Sequence, residues 1–245
     1  MPFLNCNMVS VFLIGYPMYY RFDPTYILVI AGAIICMLAS ANVSMTFNRY
    51  KSVRTSTGIT AEEAASRILS GAGIGNVRIE RISGDLTDHY DPRDKVLRLS
   101  DSVYGSSSVA AVGVAAHECG HAIQDNESYA PLRIRNSIVP VVNIGSKLSW
   151  PVIILGLIFS SLNLLWVGIA LFGLTLLFQV VTLPVEFDAS HRALKILSGR
   201  GILYENEVRG ARKVLTAAAM TYVASTVSTL MQLLRLVLLF GRRND

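Results

Sequence analysis

Ser149–Leu183, SWPVIILGLIFSSLNLLWVGIALFGLTLLFQVVTL, runs for 35 residues without a charge. A helix needs about 20 apolar residues to cross a hydrocarbon core about 30 Å thick. The stretch is therefore too long for one crossing and fits two. Ser160-Ser161-Leu162-Asn163 supplies the turn between them. The first helix of this hairpin (residues 141–183 in all) is expected from about Val141. Lys147 then falls near one end, where its stem can lie along apolar surface while its ammonium reaches water. The second helix is expected from about Leu164 to Leu183, ended by Pro184.

Working outward, Tyr26–Phe47 is a further 22 residues without a charge. It is expected to be the first transmembrane helix (residues 26–47). Its apolar run exceeds the roughly 7–15 residues of a signal peptide, and no clear basic region precedes it, so it reads as an uncleaved anchor. Residues 1–25 form an N-terminal segment in which Val11–Ile14 is too short to span, and Met18 is an alternative start. At the other end, residues 217–240 form a fourth apolar helix carrying Arg235 and several hydroxyl side chains. It stays open between a spanning and an interfacial role.

Composition agrees with a multi-pass protein. Of the 245 residues 52% are apolar and 16% charged, against roughly 25% charged in a soluble domain. That balance excludes a disordered chain. Lys+Arg 22 against Asp+Glu 17 gives a net charge of +5, without the long basic block of a nucleic-acid arm. No nucleic-acid partner is expected, and the lipid bilayer is. Arg49, Lys51 and Arg54 follow the first span. Arg133 and Arg135 precede the hairpin, and Arg192, Lys195 and Arg200 follow it. The positive-inside rule then puts the N-terminus outside and the soluble part in the cytoplasm. Arg235, Arg242 and Arg243 disagree if the fourth helix spans. Cys6, Cys36 and Cys119 form neither a disulfide framework nor a paired metal motif.

The soluble part, residues 48–140, reads as a helix and then two or three strands. Thr60-Ala61-Glu62-Glu63 is a capping box, and its helix runs to about Ser70, with Gly71 after it. Val77–Ile82, Leu86–Tyr90 and Lys95–Leu99 are the strand candidates, the last two joined by the turn signal Asp91-Pro92-Arg93-Asp94. Ser106-Ser107-Ser108 can cap a helix over 109–124.

That helix contains His117-Glu118-Cys119-Gly120-His121, the HExxH pattern. His117 and His121 differ by about 40° around a helix and stand one turn apart, so both imidazoles reach one ion. Zinc suits two imidazoles and keeps an open position for water in catalytic sites. Glu118, about 100° around, is placed to act as general base toward that water. Two His and a Glu among Val112, Val114, Ala115, Ala116, Ala122 and Ile123 are costly to bury without partners. Gly120 leaves room beside the ion. Cys119, about 200° from His117, reads as a packed core residue. A third His at the HExxHxxGxxH spacing is absent. Glu186, Asp188 and His191, in the first acidic cluster after Glu127, are the remaining ligand candidates.

HExxH, an apolar hairpin and then Glu-Phe-x-Ala resemble the membrane gluzincins. From about Tyr20 to Phe240 the chain is similar to the putative neutral zinc metallopeptidase family of bacterial membrane proteins. The likeness rests on Phe22-Asp23-Pro24-Thr25-Tyr26, Leu86–Pro92, Ala115–Glu118, Gly120–Gln124 and Leu183–Phe187. It implies a zinc-dependent endopeptidase-like unit held in the membrane: a mainly α, multi-pass helical membrane protein with a small zincin-like α+β domain. It also implies Zn2+ as cofactor. The tethering of the site to the bilayer gives the expectation of a peptide or membrane-protein substrate. Gluzincins usually carry Asp four residues after the ligand Glu to orient a zinc-binding His; Ser190 stands there instead. On a helix beginning after Pro184, Glu186 and Ser190 share a face while Asp188 points about 200° away, toward water. Glu186 is thus the expected third ligand. His191, Arg192, Tyr90, Tyr104 and Tyr222 are candidate oxyanion donors, His89 reads as a turn residue, and the strand Val96–Leu99 is a candidate edge for an extended substrate. The rival readings are an inactive zinc-binding scaffold, with Asp188 or His191 closing a four-ligand site, and a metal-gated transporter, which wants polar residues that the first three spans nearly lack.

Overall fold

The structure, a computed structural model, describes residues 23–241. The expectations for Val11–Ile14, Met18, Arg242 and Arg243 lie outside the described residues. In chain order the elements are α1 (Tyr26–Lys51), α2 (Ala61–Gly71), β1 (Arg78–Ile82), β2 (His89–Asp91), β3 (Val96–Ser100), α3 (Val109–Asn126), α4 (Ala130–Ile158), α5 (Leu162–Gly199) and α6 (Glu205–Gly241). The helices α1, α4, α5 and α6 are each long and apolar enough to cross a membrane. The chain is mainly helical with one small sheet, as expected, and the fourth apolar helix has the length and composition of a span.

Local signals formed as read. Thr60 Oγ1 accepts from the Glu63 N–H at 3.4 Å, and Glu63 Oε2 accepts from the Thr60 N–H at 3.2 Å, completing the capping box of α2. Ser108 caps α3 by accepting from the Ala111 N–H at 3.2 Å. Asp91 Oδ1 accepts from the Arg93 N–H at 2.9 Å and closes the turn into β3.

The helix limits differ from expectation in the membrane part. α4 begins at Ala130 rather than near Val141, because Pro131 opens its first turn with a φ already set for a helix. Lys147 consequently lies near the middle of α4 and not near its end. α5 continues through Pro184 to Gly199, so the helix expected to begin after Pro184, in the third-ligand region 184–216, is the second half of α5. The proline removes one N–H, but Val185, Ala189, Ala193 and Leu197, one turn apart, are all fully buried and hold the helix on course. α6 likewise begins at Glu205, twelve residues before Ala217.

In the sheet, β3 is central: β1 pairs with it in parallel and β2 antiparallel. The strand Val96–Leu99 is therefore not an edge, and its expected role in edge pairing is corrected; β1 and β2 are the outer strands. α3 is the centre of the soluble core. Its apolar side chains pack in one cluster with α2, Phe47 of α1, Ala193 and Leu197 of α5, and Val208, Ala211 and Val214 of α6. Gly113 permits this: a Cβ there would come within 3.2 Å of Ala211 Cβ.

Candidate metal centre

α3 turns His117 and His121 to one side, their rings edge to face with centroids 4.8 Å apart. α5 brings Glu186 against them. Glu186 Oε2 stands 3.4 Å from His117 Nε2 and 3.7 Å from His121 Nε2. The three ligand atoms all lie within 4.8 Å of one another. Two ligands about 2.0–2.1 Å from a tetrahedral zinc are roughly 3.4 Å apart, which the two Glu186–His separations match. The donor set, two imidazole nitrogens and one carboxylate oxygen, leaves a tetrahedral ion one position free.

Each imidazole is anchored through its other nitrogen. Ser190 Oγ lies 3.1 Å from His117 Nδ1. Gln124 Oε1 lies 3.0 Å from His121 Nδ1. Gln124 is itself fully buried, and its amide donates to the Val185 carbonyl at 2.9 Å and to Asp188 Oδ2 at 2.8 Å. Asp188 in turn pairs with Arg192, which also pairs with Glu127. Asp188 thus does not simply face water, because α5 is rotated so that the residue reaches the far end of α3. Partners of this kind fix the imidazole tautomer and leave Nε2 for the metal. Burial works to discharge His121, but the adjacent Glu186 carboxylate, with Glu118, raises its affinity for a proton above the ordinary imidazole value.

Glu118 is buried, and its Oε2 accepts from the Tyr90 N–H of β2 at 2.9 Å. It is thereby pinned beside the His pair without entering the ligand triad. Asp88, two residues before Tyr90, is also buried and accepts from the Ser100 N–H and hydroxyl at 2.7 and 2.8 Å. Burial pushes its carboxyl up to about 6, against those hydrogen bonds, and the nearby Glu118 charge adds to the rise.

Gly120 does not make room beside the ion. A Cβ there would meet the Ala189 carbonyl oxygen at 2.6 Å, so the missing side chain lets α3 and α5 cross closely, which draws Glu186 and Ser190 to the His pair. Cys119 is a fully buried core residue, its thiol pushed up by burial. His191 is exposed and Arg192 is held by two carboxylates, so neither lines the pocket. Tyr90 donates its hydroxyl to Asp125 at 2.7 Å, and Tyr104 is exposed. His89 opens β2 opposite Arg98 rather than lying in a turn; its ring is tied to the Thr87 carbonyl at 2.9 Å and stays outside the pocket. Tyr222 of α6 does line it, beside Glu186.

The residues given no role at the site by the sequence reading are Gln124, Asp88 and Arg135. Gln124 follows His121 by three, a spacing that places it on the same helix face. Arg135, read only as an anchoring charge, enters the pocket wall 3.6 Å from Glu186 Oε1. A charge within a run that otherwise reads as a span is the signal that could have singled it out.

Glu186 is about 36 Å along α5 from Leu162, and Arg135 about 35 Å along α4 from Ile158, at about 1.5 Å per residue. Both exceed a core of about 30 Å, the length over which a helix entering at Leu162 or Ile158 would have crossed it.

The family profile described as "Putative neutral zinc metallopeptidase" matches residues 25–241. The chain is 45% identical over 218 residues to "Putative membrane protease YugP" of Bacillus subtilis (strain 168), covering 89% of this chain and 97% of that protein. No solved structure matches.

Proposed function

Because the chain belongs to the family of putative neutral zinc metallopeptidases, we propose that it hydrolyses peptide bonds at the membrane surface, with His117, His121 and Glu186 holding zinc and Glu118 acting as general base. The observation that carries this is the convergence of one ring nitrogen from each His and one carboxylate oxygen within 4.8 Å, with Glu118 buried beside them and outside the triad. When bound, the ion supplies Lewis-acid activation of water and of the scissile carbonyl.

The chain's own groups do the rest. Glu118, held by the Tyr90 N–H, takes the proton of the attacking water and passes it to the leaving amine. Ser190 and Gln124 keep the imidazoles oriented. The substrate is a peptide or a membrane-protein segment close to the bilayer, since the pocket is lined by α4, α5 and α6, each long and apolar enough to cross it. The positive charges around the soluble part support a location in the cell membrane with this side facing the cytoplasm. The scaffold reading needs a fourth protein ligand. Asp188 is engaged by Gln124 and Arg192, and His191 is exposed, so no observation favours it.

The test is protein purified in mild detergent, assayed for bound zinc and for cleavage of casein and of membrane-derived peptides. Glu118→Gln should keep its zinc and lose about 100-fold or more in turnover. Loss of zinc together with activity would make Glu118 a ligand and sink the assignment.

A further inference from the structure

Five residues into α4, Arg135 brings a guanidinium into the wall of the metal pocket, its side chain only 7% exposed. Its ion-pair partner there is Glu186, at 3.6 Å from Nη1 to Oε1. That separation is too long for a direct hydrogen bond. Its Nε is buried and has no hydrogen-bond partner among the described residues. A guanidinium holds five N–H donors in a planar fork and stays charged at any working pH. Buried donors without acceptors are costly, so the Nε–H is matched to an acceptor that the described residues do not supply.

The charge points the same way. Glu186 turns Oε2 to the two His and Oε1 to Arg135. Its single negative charge is divided between the metal position and the guanidinium, leaving Arg135 incompletely neutralised whenever a cation is held. Other candidate donors are committed or remote: the Tyr90 hydroxyl to Asp125, Arg192 to Glu127 and Asp188, His191 and Tyr104 on the surface. Tyr90 and Tyr222 share the pocket wall with Arg135; with the Tyr90 hydroxyl taken by Asp125, Tyr222, which lies against Glu186, is the second donor.

Building on the peptidase reading above, we propose that Arg135 is a catalytic residue that donates, together with Tyr222, to the scissile carbonyl oxygen as it becomes an oxyanion. In that step the water oxygen bonds to the carbonyl carbon, the π pair moves onto the carbonyl oxygen, and the water proton passes to Glu118. No oxidant or reductant takes part. The fixed, desolvated donors then face the charge where it develops, which is where such groups lower a barrier most.

A merely structural Arg135, holding Glu186 in place, is separable from this role by experiment. Arg135→Lys keeps a cation beside Glu186 but loses the planar fork; Arg135→Gln removes the charge. For each, zinc per chain, kcat, KM and the affinity of a phosphinic peptide, whose tetrahedral anion mimics the oxyanion, are measured. Arg135→Lys should keep its zinc and its KM and lose about 100-fold in kcat. Phosphinic-peptide affinity should fall by a similar factor, while affinity for the cleaved product stays within about threefold of the parent. Unchanged kcat and phosphinic-peptide affinity in Arg135→Lys would overturn the proposal. So would a rise in KM alone, which marks ground-state binding, or zinc loss in Arg135→Lys, which marks a positioning role. A wild-type protein that binds zinc but cleaves no peptide defeats the peptidase reading itself, a pattern separate from any Arg135 variant.

Discussion

α3 carries His117, Glu118 and His121 within five residues, and protein surrounds it on nearly every side. α5 carries Glu186, Asp188 and Ser190 only after the uncharged stretch Leu162–Val185, and much of that stretch faces outward from the bundle. In α3 the helical repeat alone sets the spacing of two candidate ligands. In α5 the third depends on the length of the apolar helix before it and on one close crossing, Gly120 against Ala189. One half of the centre is written locally and the other is produced by packing, so substitutions in the two helices should fail differently.

The largest effect is expected at Glu186. Glu186→Ala should empty the centre of zinc and abolish turnover, because it leaves two imidazoles and an unpaired buried Arg135; metal analysis of the purified variant checks both. Next comes the anchor of His121. Gln124→Leu leaves Nδ1 without its acceptor and Asp188 without its amide, and zinc affinity should fall about 10–100-fold, read by chelator competition. Asp188→Ala should follow it more weakly, through Gln124.

Gly120→Ala tests the crossing itself. The added methyl meets backbone rather than a flexible side chain, so α3 and α5 must separate, at a cost of about 1–3 kcal/mol typical of overpacking. Thermal unfolding in detergent should shift downward, and zinc affinity should weaken although every candidate ligand is intact. Unaltered zinc affinity would show that the crossing does not set the Glu186 position. The smallest effect is expected at Asp88. Its carboxyl, raised to about 6 from an ordinary 3.8, favours the folded state fully below pH 3.8. That contribution is lost as pH rises through 6, by at most about 3 kcal/mol. Asp88→Asn can keep both contacts with Ser100 and should flatten the fall in melting temperature between pH 4.5 and 7.

The sequence made α3 legible, from the Ser108 cap to the face shared by the two His, because each feature depends on neighbours within a turn or two. The four apolar helices were legible for the same reason: absence of charge over 20 or more residues is a property of composition. The course of α5 through Pro184 was not, since a proline normally ends a helix, and the buried stripe Val185, Ala189, Ala193 and Leu197 that overrides it is a tertiary fact. Asp188 was misplaced for a related reason: helix rotation alone turns it away from Glu186, but Gln124 approaches it from another helix. The strand Val96–Leu99 has the burial of a central strand, and apolar alternation does not say which neighbour lies on which side. Arg135 reads as topology until α5 is laid beside it.

The pocket wall draws on α3, α4, α5 and α6 at once. A nascent chain that has folded only its soluble part holds two of the three candidate ligands and the base, but not the third carboxylate. Completion waits for the hairpin to insert and for the last helix to dock. Formation of the candidate centre is then tied to biogenesis: a copy stalled before insertion lacks its third carboxylate.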